Sequence, residues 1–447
     1  MTSRDTRQRP PADAQPGFAA RDVAAGLLAA VLDEHQSLDA LLESHKGLGA
    51  LPPRDRAFAR AVIGTALRRH GTLDAILNSL VAKRPPRAGA LFRIMEIAAA
   101  QILFMDVADH AAGSVAIDQI AADHDARHFK GLANAVLRRI GREKEALLRS
   151  AAEVPGRDTP EWLWSRWLKA YGEAATEKIA DAHRLEPSLD FSVKRDPEGW
   201  AEKLGGIVLP TGSVRAIASG PIELMPGFAE GEWWVQDAAA ALPAIVLGDV
   251  RGMRVADLCA APGGKTAALA NAGAHVTAVD ISAPRLARLT DNLNRLGLTA
   301  ETVTADVLTW QPREPFDAIL LDAPCTSTGT IRRHPDIAWL KRADDVAALA
   351  ALQAKMIARA TSSLKPGGIL IYCTCSLEPE EGETQITRAI AELPLVSLPV
   401  SAAEIGGLAE AINPYGNIRT LPFHLPHPTP RLSGLDGFFI ARLRKAA

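Results

Sequence analysis

Three of the four cysteines in this 447-residue chain fall in two short motifs, Asp322-Ala-Pro-Cys325-Thr-Ser-Thr-Gly and Tyr372-Cys-Thr-Cys375-Ser-Leu. A thiolate can add to an electron-poor ring carbon. On cytosine, addition at C6 makes C5 enamine-like, so that C5 can attack a methyl group carried on a sulfonium. The addition needs an acid near N3, and a carboxyl group such as that of Asp322 can supply the proton. A base must then remove the C5 proton so that the sulfur can leave. One cysteine, one aspartate and a second cysteine or a water suffice. Competing readings are inert burial, to which Cys259 and Cys373 are assigned, and a Cys325–Cys375 redox pair. Zinc fits poorly, because Cys373 and Cys375 are one residue apart and Cys325 has no C-x2-C partner. No metal is expected.

A second motif, Asp257-Leu-Cys259-Ala260-Ala261-Pro262-Gly263-Gly264-Lys265-Thr, follows a strand and opens a helix. Gly263 and Gly264 remove side chains where a ligand must approach the backbone, and the helix start favours polar or anionic groups. The motif is neither G-x-G-x-x-G nor a P-loop. Asp280 ends the next strand, where a carboxylate can bond both hydroxyls of a ribose. Asp306 ends the one after, within reach of an adenine amino group. Each aspartate alone reads equally well as a helix or turn cap. Three acidic groups at successive strand ends suit S-adenosyl-L-methionine, whose sulfonium is positive, and suit a polyphosphate poorly.

These residues must be held by a sheet. From about residue 236 the pattern alternates strand, turn and helix, with strands expected at Arg254–Leu258, His275–Ile281, Glu301–Ala305, Phe316–Leu321 and Gly368–Tyr372. Helices are expected at Pro284–Leu296 and Asp344–Leu364. The order implies an α/β fold with a parallel, doubly wound sheet, whose ligands bind beyond the carboxyl ends of the strands. Residues 19–145 instead repeat apolar positions every three or four residues and read as all helix, with Pro85-Pro86 dividing two helices. Residues 146–235, with Trp162, Trp164 and Trp167 and short alternating stretches, read as a small α+β connector. Residues 1–18 read as a disordered tail.

Composition narrows the class. Hydrophobic residues make up 47% and charged ones 23%, ordinary for a globular chain. No apolar run is long enough for a membrane span, and the N-terminus has no apolar signal stretch. A cytoplasmic protein without membrane or DNA partners, and a monomer, is expected. Residues 1–150 hold 21 basic and 17 acidic side chains, the remainder 29 and 35. Nine of the cations lie in residues 51–100 (Arg54, Arg56, Arg60, Arg68, Arg69, Lys83, Arg84, Arg87, Arg93), a possible nucleic-acid footprint or a solvated helix face.

Together the motifs resemble the RNA cytosine-5 methyltransferases of the Sun/Nop2/NSUN family. The resemblance is carried by Cys259–Lys265, Val279-Asp280, Asp322-Ala-Pro-Cys325 and Thr374-Cys375-Ser376. Val235-Gln-Asp-Ala-Ala and Asp436-Gly-Phe-Phe-Ile-Ala add to it. Asp55-Arg-Ala-Phe-Ala and Gly131-Leu-Ala-Asn-Ala-Val-Leu-Arg-Arg are similar to the NusB fold that precedes such enzymes. The resemblance implies a Rossmann-like methyltransferase domain over residues 236–447, behind a NusB-like RNA-binding domain over 19–145 and the connector over 146–235. It implies S-adenosyl-L-methionine held by Cys259, Ala260, Ala261, Pro262, Gly263, Gly264 and Lys265, with Asp280 on ribose, Asp306 near adenine and Asp322 at the target base. Cys375 would be the nucleophile and Cys325 the group that releases the product, with Lys265 among the catalytic set. In this RNA family the attacking thiol sits in T-C-S, whereas in DNA enzymes it follows Pro. Having both cysteines favours RNA, and the NusB-like domain favours, among RNAs, the bacterial 16S ribosomal species. The same chemistry on tRNA or another RNA, or a non-catalytic RNA-binding antitermination scaffold, are the alternatives.

Overall fold

A computed structural model describes residues 17–217 and 220–447. The tail expected over residues 1–18 lies outside the described residues as far as residue 16, and Phe18 already opens the first helix. The chain divides into two compact units. One holds the residues up to Trp164 together with His334–Leu340, and the other holds Ser165–Arg333 and Lys341–Ala447.

The first unit is helical. Helix Leu91–Phe104 is buried on nearly every side, from Leu91 through Ile94–Leu103. A helix apolar all round belongs at the centre of a bundle. Around it pack Phe18–Leu32, Pro53–Arg68, Asp109–Ala122 and Lys130–Arg142. Arg21, though buried, donates from Nε to Gln101 Oε1 at 2.7 Å, which satisfies both groups. Several of the nine cations are spent within this unit. Arg93 pairs with Asp33 and Glu96, Arg84 with Asp74, and Arg69 with Asp158. Arg54, Lys83 and Arg87 stand exposed.

Segment His334–Leu340 joins this unit from far along the chain. Asp336 Oδ2 accepts the Leu38 amide at 2.9 Å, and Trp339 Nε1 donates to Leu67 O at 3.0 Å. The Trp339 ring meets the His70 ring edge-on at 4.6 Å, and Trp339 and Leu340 pack on the helical core.

The second unit contains two sheets. The smaller is antiparallel, built from β1 (Leu189–Val193), β2 (Ile207–Val208), β3 (Val214–Ala216) and β4 (Trp233–Val235) in the order β2-β3-β1-β4. Phe191, Trp200 and Trp233 form its core. The larger contains β5 (Arg254–Leu258), β6 (His275–Asp280), β7 (Glu301–Thr304), β8 (Phe316–Asp322), β9 (Leu364–Thr374), β10 (Leu395–Ser397), β11 (Ile418–Thr420) and β12 (Phe438–Lys445). Its order is β10-β12-β9-β8-β5-β6-β7, with β11 beside β12. β5 to β9 pair in parallel, with helices such as Ala283–Leu296 and Ala343–Ser362 between them.

The parallel sheet expected from the sequence is present, and antiparallel strands extend it on one side. β12 runs antiparallel to β9, and β10 and β11 pair antiparallel to β12. β12 comes from the Asp436-Gly-Phe-Phe-Ile-Ala motif, whose residues Phe438–Ala441 are all buried. A continuous apolar run marks a strand covered on both faces but does not give its direction.

Strand order reverses between β5 and β8. The crevice beyond their carboxyl ends is therefore the expected ligand site. Alternate residues feed two separate cores: Leu320 and Ile371 on one face, Ile319, Leu321, Leu370 and Tyr372 on the other. Because the period is two, this burial fixes the register that brings Asp322 opposite Cys373.

Candidate active site

Beyond β5 the chain turns sharply. Cys259 takes a φ of 62° and Gly263 one of 106°. A Cβ on Gly263 would stand 2.6 Å from Leu289 Cγ, so both conformation and space demand glycine. Helix Gly264–Asn271 follows at once. Ala260 is pinned to β6 by its amide on Val279 O at 3.1 Å. Ala260 and Ala261 are buried and Pro262 is exposed.

Asp280 lies where the sequence put it, at the carboxyl end of β6, but its carboxylate is largely engaged by the protein. Oδ2 accepts the Ala261 amide at 3.1 Å and Oδ1 the Ser282 amide at 2.9 Å. The Arg285 guanidinium lies 3.5 Å away and also bonds Ala261 O. Asp280 thus ties the glycine loop to the next strand. Asp306 is half-buried beyond β7 and caps a turn through the Leu308 amide at 2.9 Å. Asp257, inside β5, is fully buried. Its Oδ2 accepts from Thr266 Oγ1 at 2.6 Å, while Oδ1 has no partner. Burial pushes its pKa up to about 7.

A bare-backbone loop, a helix start and a buried carboxylate oxygen without a partner fit a ligand that brings hydrogen-bond donors and positive charge, as S-adenosyl-L-methionine does. Gly263→Ala should weaken cofactor binding at least tenfold and cost about 1–3 kcal/mol from the forced φ alone. Calorimetric titration and urea unfolding measure the two effects.

The other motifs meet at the ends of β8 and β9. Lys265 Nζ donates to Asp322 Oδ2 at 2.8 Å and lies over the Phe438 ring at 5.3 Å. Burial works against the ammonium charge, but Asp322, Cys373 and Asp257 together outweigh it and the Lys265 pKa is held above its ordinary value. Cys373 is more than a small hydrophobe. It is buried, and its Sγ donates to Asp322 Oδ1 at 3.5 Å. Burial and then Asp322 push this thiol up, and burial pushes Cys259 up as well, so neither is a ready nucleophile.

Cys325 and Cys375 differ from these two. Their sulfurs stand 3.4 Å apart, a thiol hydrogen bond and well beyond the ~2.05 Å of a disulfide. Ser327 Oγ lies 3.5 Å from Cys375 Sγ and 3.9 Å from Cys325 Sγ. The bond from the Cys325 thiol stabilises a Cys375 thiolate and lowers its pKa, and the same bond holds the proton on Cys325, whose pKa rises. One thiol is thereby prepared as nucleophile and the other as its proton-bearing neighbour.

Sequence reasoning missed what lies behind the sulfurs. Ser327 takes a φ of 60°. Glu378 and Glu381 are fully buried, and so is Gln353. The run Glu378-Pro-Glu-Glu-Gly-Glu reads as a solvated acidic turn. The only hint was its place just after Cys375.

Comparison with known proteins is decisive at this point. The family model described as 16S rRNA methyltransferase RsmB/F matches residues 244–444, and the NusB family model matches residues 19–142. A ribosomal RNA small subunit methyltransferase B of Klebsiella pneumoniae is 36% identical over 444 residues, 95% of this chain and 98% of that one. The chain belongs to this family. It is an RNA methyltransferase dependent on S-adenosyl-L-methionine, with a NusB-type helical domain. The protein of the same name from Serratia proteamaculans is 37% identical over the same shares. Among solved structures, a methyltransferase homologue from Pyrococcus horikoshii is 29% identical with a TM-score of 0.52, covering 63% of this chain and 93% of that one. The structure titled PH0851, 23% identical, covers 97% and 99% with a TM-score of 0.73, which shows the fold. Among the described residues no helix is long and apolar enough to cross a membrane.

Proposed function

We propose that the enzyme methylates C5 of a cytidine in 16S rRNA through a transient bond between Cys375 and C6. The observation that carries this reading is the Cys375–Cys325 sulfur pair beside the Asp322–Lys265 ion pair. Bound S-adenosyl-L-methionine supplies an electrophilic methyl group on a positive sulfonium.

The chain's own residues supply the rest. The target base leaves its stack to reach the crevice. Asp322 meets it at the N3 edge, with the Lys265 ammonium behind as proton source, so that N3 gains a proton as the Cys375 sulfur bonds to C6. That bond places nucleophilic density on C5. Once C5 carries methyl, Cys325, freed of its bond to the Cys375 thiolate and having given its own proton to water, takes the C5 proton. The C5–H electron pair forms the C5–C6 double bond, the Cys375–C6 bond breaks to restore the thiolate, and N3 returns its proton to the Asp322–Lys265 pair. Cys259–Lys265 and Asp306 line the cofactor side, and Asp280 holds the loop that does so. The exposed cations Arg54, Lys83 and Arg87 contribute phosphate contacts, which makes RNA binding weaken as salt rises.

Bisulfite sequencing of 16S rRNA from cells with and without the gene tests the reading. One protected cytidine should vanish on deletion and return with the wild-type gene. An unchanged 16S pattern, with a lost site in tRNA or elsewhere, would replace the substrate and keep the chemistry.

A further inference from the structure

The two cysteines come from different loops, and a thiol hydrogen bond at 3.4 Å needs both loops held to a fraction of an ångström. The clamp is visible directly behind them. Glu381, in a short 3-10 turn after β9, is fully buried. Its carboxylate accepts the Thr326 amide at 3.0 and 3.2 Å and the Thr326 hydroxyl at 2.5 Å. It also accepts the Ser376 hydroxyl at 2.6 Å and Gln353 Nε2 at 2.9 Å. Thr326 follows Cys325, and Ser376 follows Cys375.

The residues that precede the sulfurs are tied to the same group. Gln353 Nε2 also donates to Pro324 O at 2.8 Å. The Thr374 hydroxyl donates to the Glu381 carbonyl at 3.1 Å, and the Tyr372 phenol donates there at 2.8 Å. One side chain and its own carbonyl thus reach the flanks of both cysteines, directly or through Gln353.

We propose that Glu381 is the positioning residue of the thiol pair: its ionised carboxylate sets the distance between the two sulfurs and keeps their shared proton on Cys325. This rests on the assignment of Cys375 as nucleophile. All four groups bonded to the carboxylate are donors, which an ionised carboxylate satisfies and an amide in its place cannot. Burial pushes the Glu381 pKa up, and the hydroxyl and amide donors pull it back. The Cys325 thiol is raised first by its bond to Cys375, then by burial and Cys375 charge, and further by the Glu381 charge. The other ionisable groups about the pair are Asp322 and Lys265 on the crevice side and Tyr372 on the Glu381 side.

The test compares Glu381→Gln, Glu381→Asp and Glu381→Ala in the full chain. Two readouts are needed: steady-state kinetics, and the pH profile of iodoacetamide alkylation at Cys325 and Cys375, resolved by peptide mass spectrometry. Misplacing a reacting group by about 1 Å costs roughly 10²-fold. Glu381→Gln should lower kcat by about that factor, with KM for the cofactor within about twofold. The Cys375 alkylation midpoint should move up by about one pH unit and that of Cys325 down, so that the two profiles converge. Glu381→Asp should recover about tenfold of the lost kcat.

Thr326→Val keeps the shape and removes a single donor. It should show the same changes in smaller measure, and it decides the matter if the Glu381 variants do not fold. Wild-type kcat in folded Glu381→Gln or Thr326→Val overturns the proposal. So does a loss of kcat with both alkylation profiles unmoved, since that is structural support alone. Activity of Cys375→Ala separates the two failures: if that variant turns over, the nucleophile assignment has failed, not merely the clamp.

Discussion

Cys375→Ala is expected to reduce methyl transfer to RNA by at least about 10⁴-fold while leaving cofactor affinity within about twofold. The size of the effect follows from what the sulfur does. Without a bond at C6, C5 of a cytosine is too poor a nucleophile to take a methyl group, and no neighbouring thiol is placed to substitute. Cys373 has its Sγ on Asp322 and is pushed toward the protonated form by burial, and Cys259 is raised likewise. Cys325 keeps its proton in the native pair. The cofactor residues Cys259–Lys265 belong to a different loop, so their grip should persist. The measurement is transfer of a labelled methyl group to 16S rRNA, beside calorimetric titration of the cofactor. Turnover within tenfold of wild type would remove the covalent mechanism.

The second large effect has the opposite character. Cys325→Ala should leave the first bond free to form and block its release, because the base that takes the C5 proton is gone. A covalent RNA–protein adduct should accumulate and appear as a slow band on a denaturing gel. The double variant lacking both thiols should show none. Loss of the Cys325 hydrogen bond also raises the Cys375 pKa, so the adduct should form more slowly below neutral pH and faster above it. A single variant without the band, at any pH where the protein is folded, would assign proton removal to another group.

Much of this site is legible as local sequence. Asp257–Thr266, Asp322–Cys325 and Thr374–Ser376 are each short, contiguous runs at strand ends, and strand ends follow from apolar runs broken by glycine, proline and aspartate. Expected and observed strands accordingly agree to within a residue or two at β5 to β8. β9 is the exception, because it begins at Leu364, ahead of a Pro-Gly-Gly that reads as a turn. Its register with β8 shifts between Phe316 and Ala318, which is how the sheet absorbs those residues.

What the sequence hides is mostly long-range. Gln353 sits mid-helix and looks like any amphipathic helix residue until Pro324 and Glu381 are seen beside it. Glu378 reads as surface charge, yet it is buried against Arg166 and the Trp167 indole, about 210 residues earlier in the chain. Asp237 and Asp436 stand out in the sequence only as parts of family motifs. In the fold they share Arg332 and Arg333 in a buried ion cluster with Asp190. No periodicity of period two or 3.6 carries such information, because it belongs to pairs of residues and not to either one.

The excursion of His334–Leu340 sets a limit on how this enzyme can be taken apart. A cut near residue 164 would yield a C-terminal fragment still carrying Trp339 and Leu340, now stripped of the helices that cover them, and an N-terminal fragment with the matching recess laid open. Each piece would be sticky where the other belongs. Gene fragments that separate the two halves are therefore poor reagents.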